Sequence, residues 1–177
     1  MTKALAHPLA RRTLGIGAAL AAGLILPLLV HLIPSQGGPP MGARLLPIFL
    51  AASLAAMRLD PLSALSIAVA TPLLNRLVTG SPAGAMLPVV STELVVTVAL
   101  LLAARRFAPG SLRFVTVPAF LASAVIASAL VSGSAPLDTL SFAVRFSWPG
   151  LVLLAVCGFL AAPRNTNDGP RSDGGPK

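Results

Sequence analysis

Glu93 is the residue of this chain whose type and position could do chemistry inside a lipid bilayer. It lies in the apolar run AMLPVVSTELVVTVALLLAA and is the only acidic residue well inside any apolar run of the sequence. A carboxylate in hydrocarbon costs free energy and usually serves a function, such as ligand binding. Glu93 is therefore the first candidate site residue, and the question is which polar groups the fold brings to it.

Other polar and aromatic residues lie near the ends of the remaining apolar runs. In chain order these candidates are Gln36, Arg44, Asn75, Arg76, Phe142, Arg145, Phe146 and Trp148. Their types make a plausible lining for a small polar or anionic ligand. The alternatives stay open: Arg76 or Arg145 could neutralise Glu93 in a structural ion pair, and the aromatic residues could serve packing or interface anchoring.

Several classes of chemistry find no support in the sequence. The chain has no P-loop, no GxSxG sequence and no Rossmann glycine pattern, and its apolar runs contain no paired carboxylates. His7 and His31 stand apart from other metal-ligating residues, and Cys157 is the only cysteine, so no intrachain disulfide can form. We expect a protein that is not an enzyme and that carries no metal or cofactor.

The composition is that of an integral membrane protein. Of 177 residues, 55% are hydrophobic and 10% are charged, well below the quarter or so typical of soluble domains. The net charge of +8 comes from basic residues between apolar runs rather than on one solvated face, which argues against nucleic-acid binding. Hydropathy predicts six membrane-spanning helices, approximately at 13–33, 45–57, 62–78, 85–104, 114–131 and 139–162.

The domain prediction follows from these spans. We expect a basic N-terminal tail over residues 1–12, a six-helix transmembrane domain over 13–162 and a disordered tail over 163–177. The first run imitates a signal peptide after Arg11 and Arg12, but further apolar residues follow its small residues, so we interpret it as an uncleaved helix.

The distribution of Lys and Arg predicts the orientation of the six-span bundle. Ten basic residues fall on the side of both termini, and only Arg44, Arg76 and Arg145 fall on the opposite side. By the positive-inside rule both termini should be cytoplasmic, in the cell (plasma or inner) membrane. Glu93 enters its span from the non-cytoplasmic side, about 12 Å below the helix end.

Local signals set two helix boundaries and one irregularity. Asp60 followed by Pro61 predicts an N-cap and first helical residue, and Pro72 inside the third span should kink it. The second span is short, so we expect it to begin nearer Met41 or to run tilted.

Small residues recur at four-residue spacing along the first span. Gly15, Ala19 and Gly23 form one row, with Ala18 and Ala22 beside it. Such a stripe lets another helix approach closely, either within the chain or from a partner subunit. Periodicity alone leaves both possibilities open.

Three segments resemble the substrate-binding S components of energy-coupling factor vitamin transporters. They are GARLLPIFLAA, TPLLNRLVTGSP and MLPVVSTEL, and the likeness extends over about residues 31–104. It departs from the family at Ile48-Phe49, where many members have Met-His, and at Thr97-Val98, where they often have Tyr-Gly.

The resemblance implies a six-helix protein that captures a vitamin from outside and hands it to an ATP-driven module. That module consists of a transmembrane coupling subunit and two cytoplasmic ATPases. By motif position, binding roles would fall to Glu93, Asn75 and Thr79-Gly80, and docking to Ala18 and Ala22 with Gly15, Ala19 and Gly23 nearby. The alternative expectation is a structural membrane protein of the rod-shape-determining MreD type, which acts through protein contacts.

Overall fold

The computed structural model describes residues 2–33, 44–133 and 135–161, with only the backbone given for 2–9, 11 and 132. Within these ranges the chain is all-helical, as expected, and forms six α-helices, of which five are long. The six helices are α1 (Thr2–His31), α2 (Pro47–Arg58), α3 (Pro61–Thr79), α4 (Leu87–Phe107), α5 (Leu112–Ala127) and α6 (Pro136–Ala161). Short 3-10 turns precede α4 and α5, and a π-helical turn, Ser128–Ser132, follows α5.

Five helical segments are long and apolar enough to cross a membrane. They are Arg12–His31, Pro61–Thr79, Gly84–Phe107, Pro109–Val131 and Pro136–Ala161. Their outer faces expose large apolar side chains, for example Leu14, Leu77 and Phe159, in the way that lipid-facing helices do. The chain therefore has the properties of a multi-pass membrane protein.

The predicted start of α3 is confirmed. Asp60 is its N-cap, with the carboxylate accepting a hydrogen bond of 3.1 Å from the backbone N–H of Ser63, and Pro61 is the first helical residue. The helix continues through Pro72 and ends at Gly80, whose left-handed backbone (φ 74°) lets its N–H bond to the carbonyl of Arg76 at 2.9 Å.

The start of α2 is sharper than the sequence predicted. Arg44 and Leu45 are helical, but Leu46 has a left-handed backbone (φ 51°) and α2 begins only at Pro47. The ring of a proline clashes with a helical conformation of the preceding residue, so a break at Leu46 is expected on steric grounds. Met41, the predicted starting point, lies outside the described residues.

Small residues allow the helices to approach closely around α2, which lies at the centre and contacts α1, α3, α4 and α6. Ala52, Ala56, Ala64 and Ala68 of α2 and α3 are completely buried. At the crossing of α6 with the start of α2, a Cβ added to Gly150 would lie 2.7 Å from the carbonyl oxygen of Arg44, so only glycine fits this contact.

The predictions for the two ends of the chain can be compared with the structure only in part. The backbone of residues 2–12 is helical and continuous with α1, so the basic N-terminal segment is part of that helix. The predicted disordered tail, residues 163–177, lies outside the described residues.

Candidate functional site

A cavity of about 970 Å³ lies between the helices at one end of the bundle. It lies where α1 and α3 end and where α2, α4 and α6 begin, and its volume is within the range of small-molecule sites. Its polar lining residues are His31, Asn75, Thr79, Ser81, Glu93, Ser128, Asp138, Thr139 and Ser147. Aromatic and aliphatic side chains form the rest of its wall.

The short length of α2 makes room for this cavity. With 12 residues, α2 is only about 18 Å long, whereas the hydrocarbon core of a bilayer is about 30 Å thick. Leu46, Pro47, Ile48 and Phe49, at the beginning of α2, all line the cavity. The space that a longer central helix would fill is therefore left open between the other helices.

Glu93 lies on the cavity face of α4. Met86, Val89, Val90 and Glu93 follow the helical period and all line the cavity, and Glu93 is half-buried. It lies about 14 Å along the span that begins at Gly84. The carboxylate is therefore held inside the bundle and faces the open space.

Deeper in the bundle than Glu93, two buried hydroxyl groups are hydrogen-bonded to each other. One turn deeper on α4, the hydroxyl of Thr97 is 2.6 Å from the hydroxyl of Ser123 on α5, and both residues are fully buried. The Ser123 hydroxyl also lies 2.7 Å from the carbonyl of Phe120 and can donate to it. Because these hydroxyls already have hydrogen-bond partners, they do not donate to the carboxylate of Glu93.

The proposed structural ion pair to Glu93 is not formed by the residues that the structure describes, in which the one ion pair joins Arg12 and Asp60. Arg76 donates instead to the carbonyl of Pro82 at 3.1 Å. The guanidinium of Arg145 lies 5.5 Å from the ring centre of Phe146. Within the described ranges, neither these two arginines nor Arg44 line the cavity.

Asn75 has an acceptor atom to spare. It is only 2% exposed, and its Nδ2 donates to the carbonyls of Gly23 (2.7 Å) and Thr71 (3.1 Å). Because both partners are carbonyls, the amide nitrogen must face them, which fixes the orientation of the side chain. The Oδ1 atom is buried and accepts no hydrogen bond from any described residue.

Close packing of α1 against α3 holds Asn75 in this position. Gly23 lets the helices approach, since a Cβ there would lie 2.7 Å from the methyl group of Thr71. Along α3, Thr71 donates to the carbonyl of Ile67 and Thr79 to that of Asn75, at 2.6 and 2.8 Å. Asn75 is thus fixed by hydrogen bonds on α3 and by the backbone of α1.

The remaining predicted site residues are divided between the cavity and the outer surface. Phe142 lines the cavity and contacts Phe146, with ring centres 4.7 Å apart, but Phe146 itself does not line it. Trp148 is 57% exposed on the outer side of α6. Gln36 lies outside the described residues.

The sequence reasoning passed over several cavity residues. Phe49, Phe120, Ser128, Asp138 and Ser147 line the cavity but were not among the predicted site residues. On α6, the predicted site residues Arg145, Phe146 and Trp148 do not line the cavity. The buried face instead runs through small residues, Ala143, Ser147, Gly150 and Gly158, and this small-residue pattern was the available signal.

The small-residue stripe of α1 has two faces. Gly15 and Gly23 face the protein, where added Cβ atoms would meet Leu59 and Thr71, and Ala19 packs against the core. Ala18 is exposed and Ala22 half-buried. The row of Gly15, Ala19 and Gly23 therefore packs against other helices of the same chain. Ala18 and Ala22, beside this row, remain available to a helix of a partner subunit.

The described residues contain no group of three or more His, Cys, Asp or Glu side chains that could hold a metal ion. The site is thus a largely apolar cavity with a few polar groups at fixed positions. In comparisons with family models, curated proteins and solved structures, the chain matches none.

Proposed function

We propose that this chain is the substrate-binding membrane subunit of an energy-coupling-factor-type importer, which captures a vitamin or related micronutrient from outside the cell. The observation that carries the proposal is the cavity of about 970 Å³, whose wall contains Glu93 and Asn75, two residues with acceptor atoms that no described residue occupies. A structural protein of the MreD type acts through its outer surface and has no use for such a space.

The distribution of arginines supports an outward-facing cavity. Arg58, Arg105, Arg106 and Arg113 lie at the end opposite the cavity, as does Arg12 of α1. The positive-inside rule makes that end cytoplasmic, with both termini, and makes the cavity end external. In this proposal α2 joins the five long helices as a sixth, shorter membrane-embedded helix. The protein lies in the plasma or inner membrane.

The proposed partners are a transmembrane coupling subunit and two cytoplasmic ATPases, because no nucleotide-binding motif is present in this sequence. Ala18 and Ala22 are the proposed docking residues, since Ala18 is exposed and Ala22 half-buried, and they lie beside the row of Gly15, Ala19 and Gly23 that packs within the protein. Small side chains there would let a helix of the coupling subunit approach α1 closely.

Ligand-induced thermal stabilisation tests the proposal. Unfractionated yeast extract and a panel of water-soluble vitamins should raise the unfolding temperature of the purified full chain by several degrees, since a ligand that binds only the folded state stabilises it. Val90→Trp places an indole in the cavity and should abolish the shift. Val69→Trp adds the same bulk to the exposed face of α3 and should retain it.

The same experiment can refute the importer proposal. If neither the extract nor any vitamin stabilises the wild-type chain, and the chain instead co-purifies with cell-wall synthesis proteins, the importer proposal is wrong and the structural alternative takes its place.

A further inference from the structure

The ionisable lining of the cavity is acidic. Within the ranges that the structure describes, Glu93, Asp138 and His31 are the ionisable residues of the cavity wall, and neither lysine nor arginine lines it. Residues 34–43 and 134, which the structure does not describe, contain no ionisable side chain in the sequence. The described part of the cavity wall therefore offers two carboxylates to a ligand, together with His31 but without a lysine or an arginine.

Two of the arginines at the cavity end of the bundle contact groups other than the cavity residues. Arg76 is exposed and bonds the carbonyl of Pro82, and Arg145 is exposed and lies against the ring of Phe146. Water and salt screen the field of exposed charges much more than that of a half-buried carboxylate such as Glu93. An anionic ligand would thus face an unfavourable charge in the cavity with no cation in contact to offset it.

The uncharged part of the wall is also suited to a cation. Phe49 and Phe120 are each 3% exposed and pack edge to face with ring centres 4.9 Å apart, and Phe142 of α6 also lines the cavity. Aromatic rings attract cations through their negative faces and also bury an apolar ring or chain.

Two acceptor groups of the cavity wall have no hydrogen-bond donor among the described residues. The Oδ1 of Asn75 accepts no hydrogen bond from the described residues, and no described donor contacts the carboxylate of Glu93. A carboxylate and an amide oxygen can both accept N–H groups, and leaving either unpaired inside a protein costs free energy. The complementary ligand must supply donors.

We propose that the ligand of this cavity is an organic cation with an apolar or aromatic body. Its positively charged, hydrogen-bond-donating nitrogen binds Glu93, a second donor binds the Oδ1 of Asn75, and the body packs against Phe49, Phe120 and Phe142. This inference rests on the proposed binding function and narrows its substrate class. It replaces the sequence-based expectation of a polar or anionic ligand lined by Arg44, Arg76 and Arg145.

The test uses yeast extract separated by ion exchange into cationic, anionic and neutral small-molecule fractions. Each fraction is added to the purified full chain in nanodiscs, and the unfolding temperature is measured. We expect the cationic fraction to stabilise the protein and the other two to have little effect. Glu93→Gln should require at least tenfold more cationic fraction for the same shift. Asp60→Asn removes a carboxylate far from the cavity, so it should need the same amount of that fraction as wild type, although it starts from a lower unfolding temperature.

The outcomes separate this inference from the proposed function. Stabilisation only by the anionic or neutral fraction overturns the cationic class but keeps a ligand-binding protein. An unchanged response of Glu93→Gln to the cationic fraction overturns the role of Glu93. No stabilisation by any fraction overturns the binding function and this inference with it. Because the fractions are first compared on the wild-type chain, the class is decided even if Glu93→Gln fails to fold.

Discussion

The two ends of the helix bundle treat their polar groups in opposite ways. At the end where α2 meets α3, Arg12 binds Asp60 at 3.0 Å, and Arg105 donates to the carbonyls of Ala56 (3.0 Å) and Leu59 (2.6 Å). At the cavity end, the carboxylate of Glu93 and the Oδ1 of Asn75 have no partner among the described residues.

This difference distinguishes polar groups that stabilise the fold from polar groups that are available to a ligand. The first end joins helices by satisfying carbonyls and charges that would otherwise lack partners. The cavity end leaves acceptors unpaired at a cost in stability, which natural proteins tend to accept at functional sites. We therefore expect removal of these polar groups to change stability in opposite directions at the two ends.

The largest effects should come from two glycines on α6, one in the middle of the helix and one in its last turn. A Cβ on Gly150 would lie 2.7 Å from both the Arg44 carbonyl oxygen and the Cγ of Leu46, and a Cβ on Gly158 would lie 2.6 Å from the Thr116 hydroxyl. Gly150→Ala and Gly158→Ala should each lower the free energy of unfolding by about 1–3 kcal/mol through overpacking. Denaturant titration of the purified protein measures both changes.

Ligand binding distinguishes these two variants. Leu46 lines the cavity, so Gly150→Ala should also reduce stabilisation by ligand, whereas Gly158→Ala should leave that shift unchanged. Gly17→Ala is the control, because a Cβ there meets nothing within 4 Å. Equal losses of ligand response in both α6 variants would contradict the assignment of only one end to binding.

Glu93→Met should stabilise the protein in the absence of ligand. The substitution keeps the length of the side chain but removes an unpaired carboxyl group from the bundle interior, so we expect a gain of about 1–2 kcal/mol in unfolding free energy. Asp60→Asn is the matched control and should lower stability, since its carboxylate has partners. A loss of stability in Glu93→Met would mean that the carboxylate of Glu93 supports the fold after all.

The smallest effect should appear as a pH dependence at the opposite end. Hydrogen bonds from the Ser63 hydroxyl and backbone N–H, with the charge of Arg12, hold the pKa of Asp60 below its usual value. Because the folded-state pKa is lower than the unfolded one, the stabilisation is present above about pH 4 and is lost as the pH falls further. The unfolding temperature of wild type should therefore drop on acidification.

The Asp60→Asn variant isolates this contribution. It cannot titrate at position 60, so its unfolding temperature should start a few degrees lower and fall less between pH 6 and pH 3. Parallel curves for the two proteins would show that the contacts of Asp60 do not contribute to stability.

The helices themselves could be predicted from local sequence, because the signals are local. Apolar runs of membrane-spanning length, Asp60 before Pro61 and the Arg105-Arg106 pair near the end of α4 act through neighbouring residues and through the solvent around each helix. The same local chemistry predicted that Glu93 and Asn75 belong to one end of the bundle. The break at Leu46 was also readable from Pro47, although the expected helix start lay further upstream.

The sequence by itself determined an all-helical chain with segments able to cross a membrane, and an acidic residue inside one of them. Only the tertiary structure decided which side chains share the cavity, because that depends on the rotation of each helix about its own axis. On α6, the small residues Ala143, Ser147 and Gly150 lie on the buried face, and Arg145 lies on the exposed one. Close packing thus left Glu93 without an arginine. The ionisable residues of the described cavity wall are two carboxylates and His31, where the sequence had predicted arginines beside Glu93.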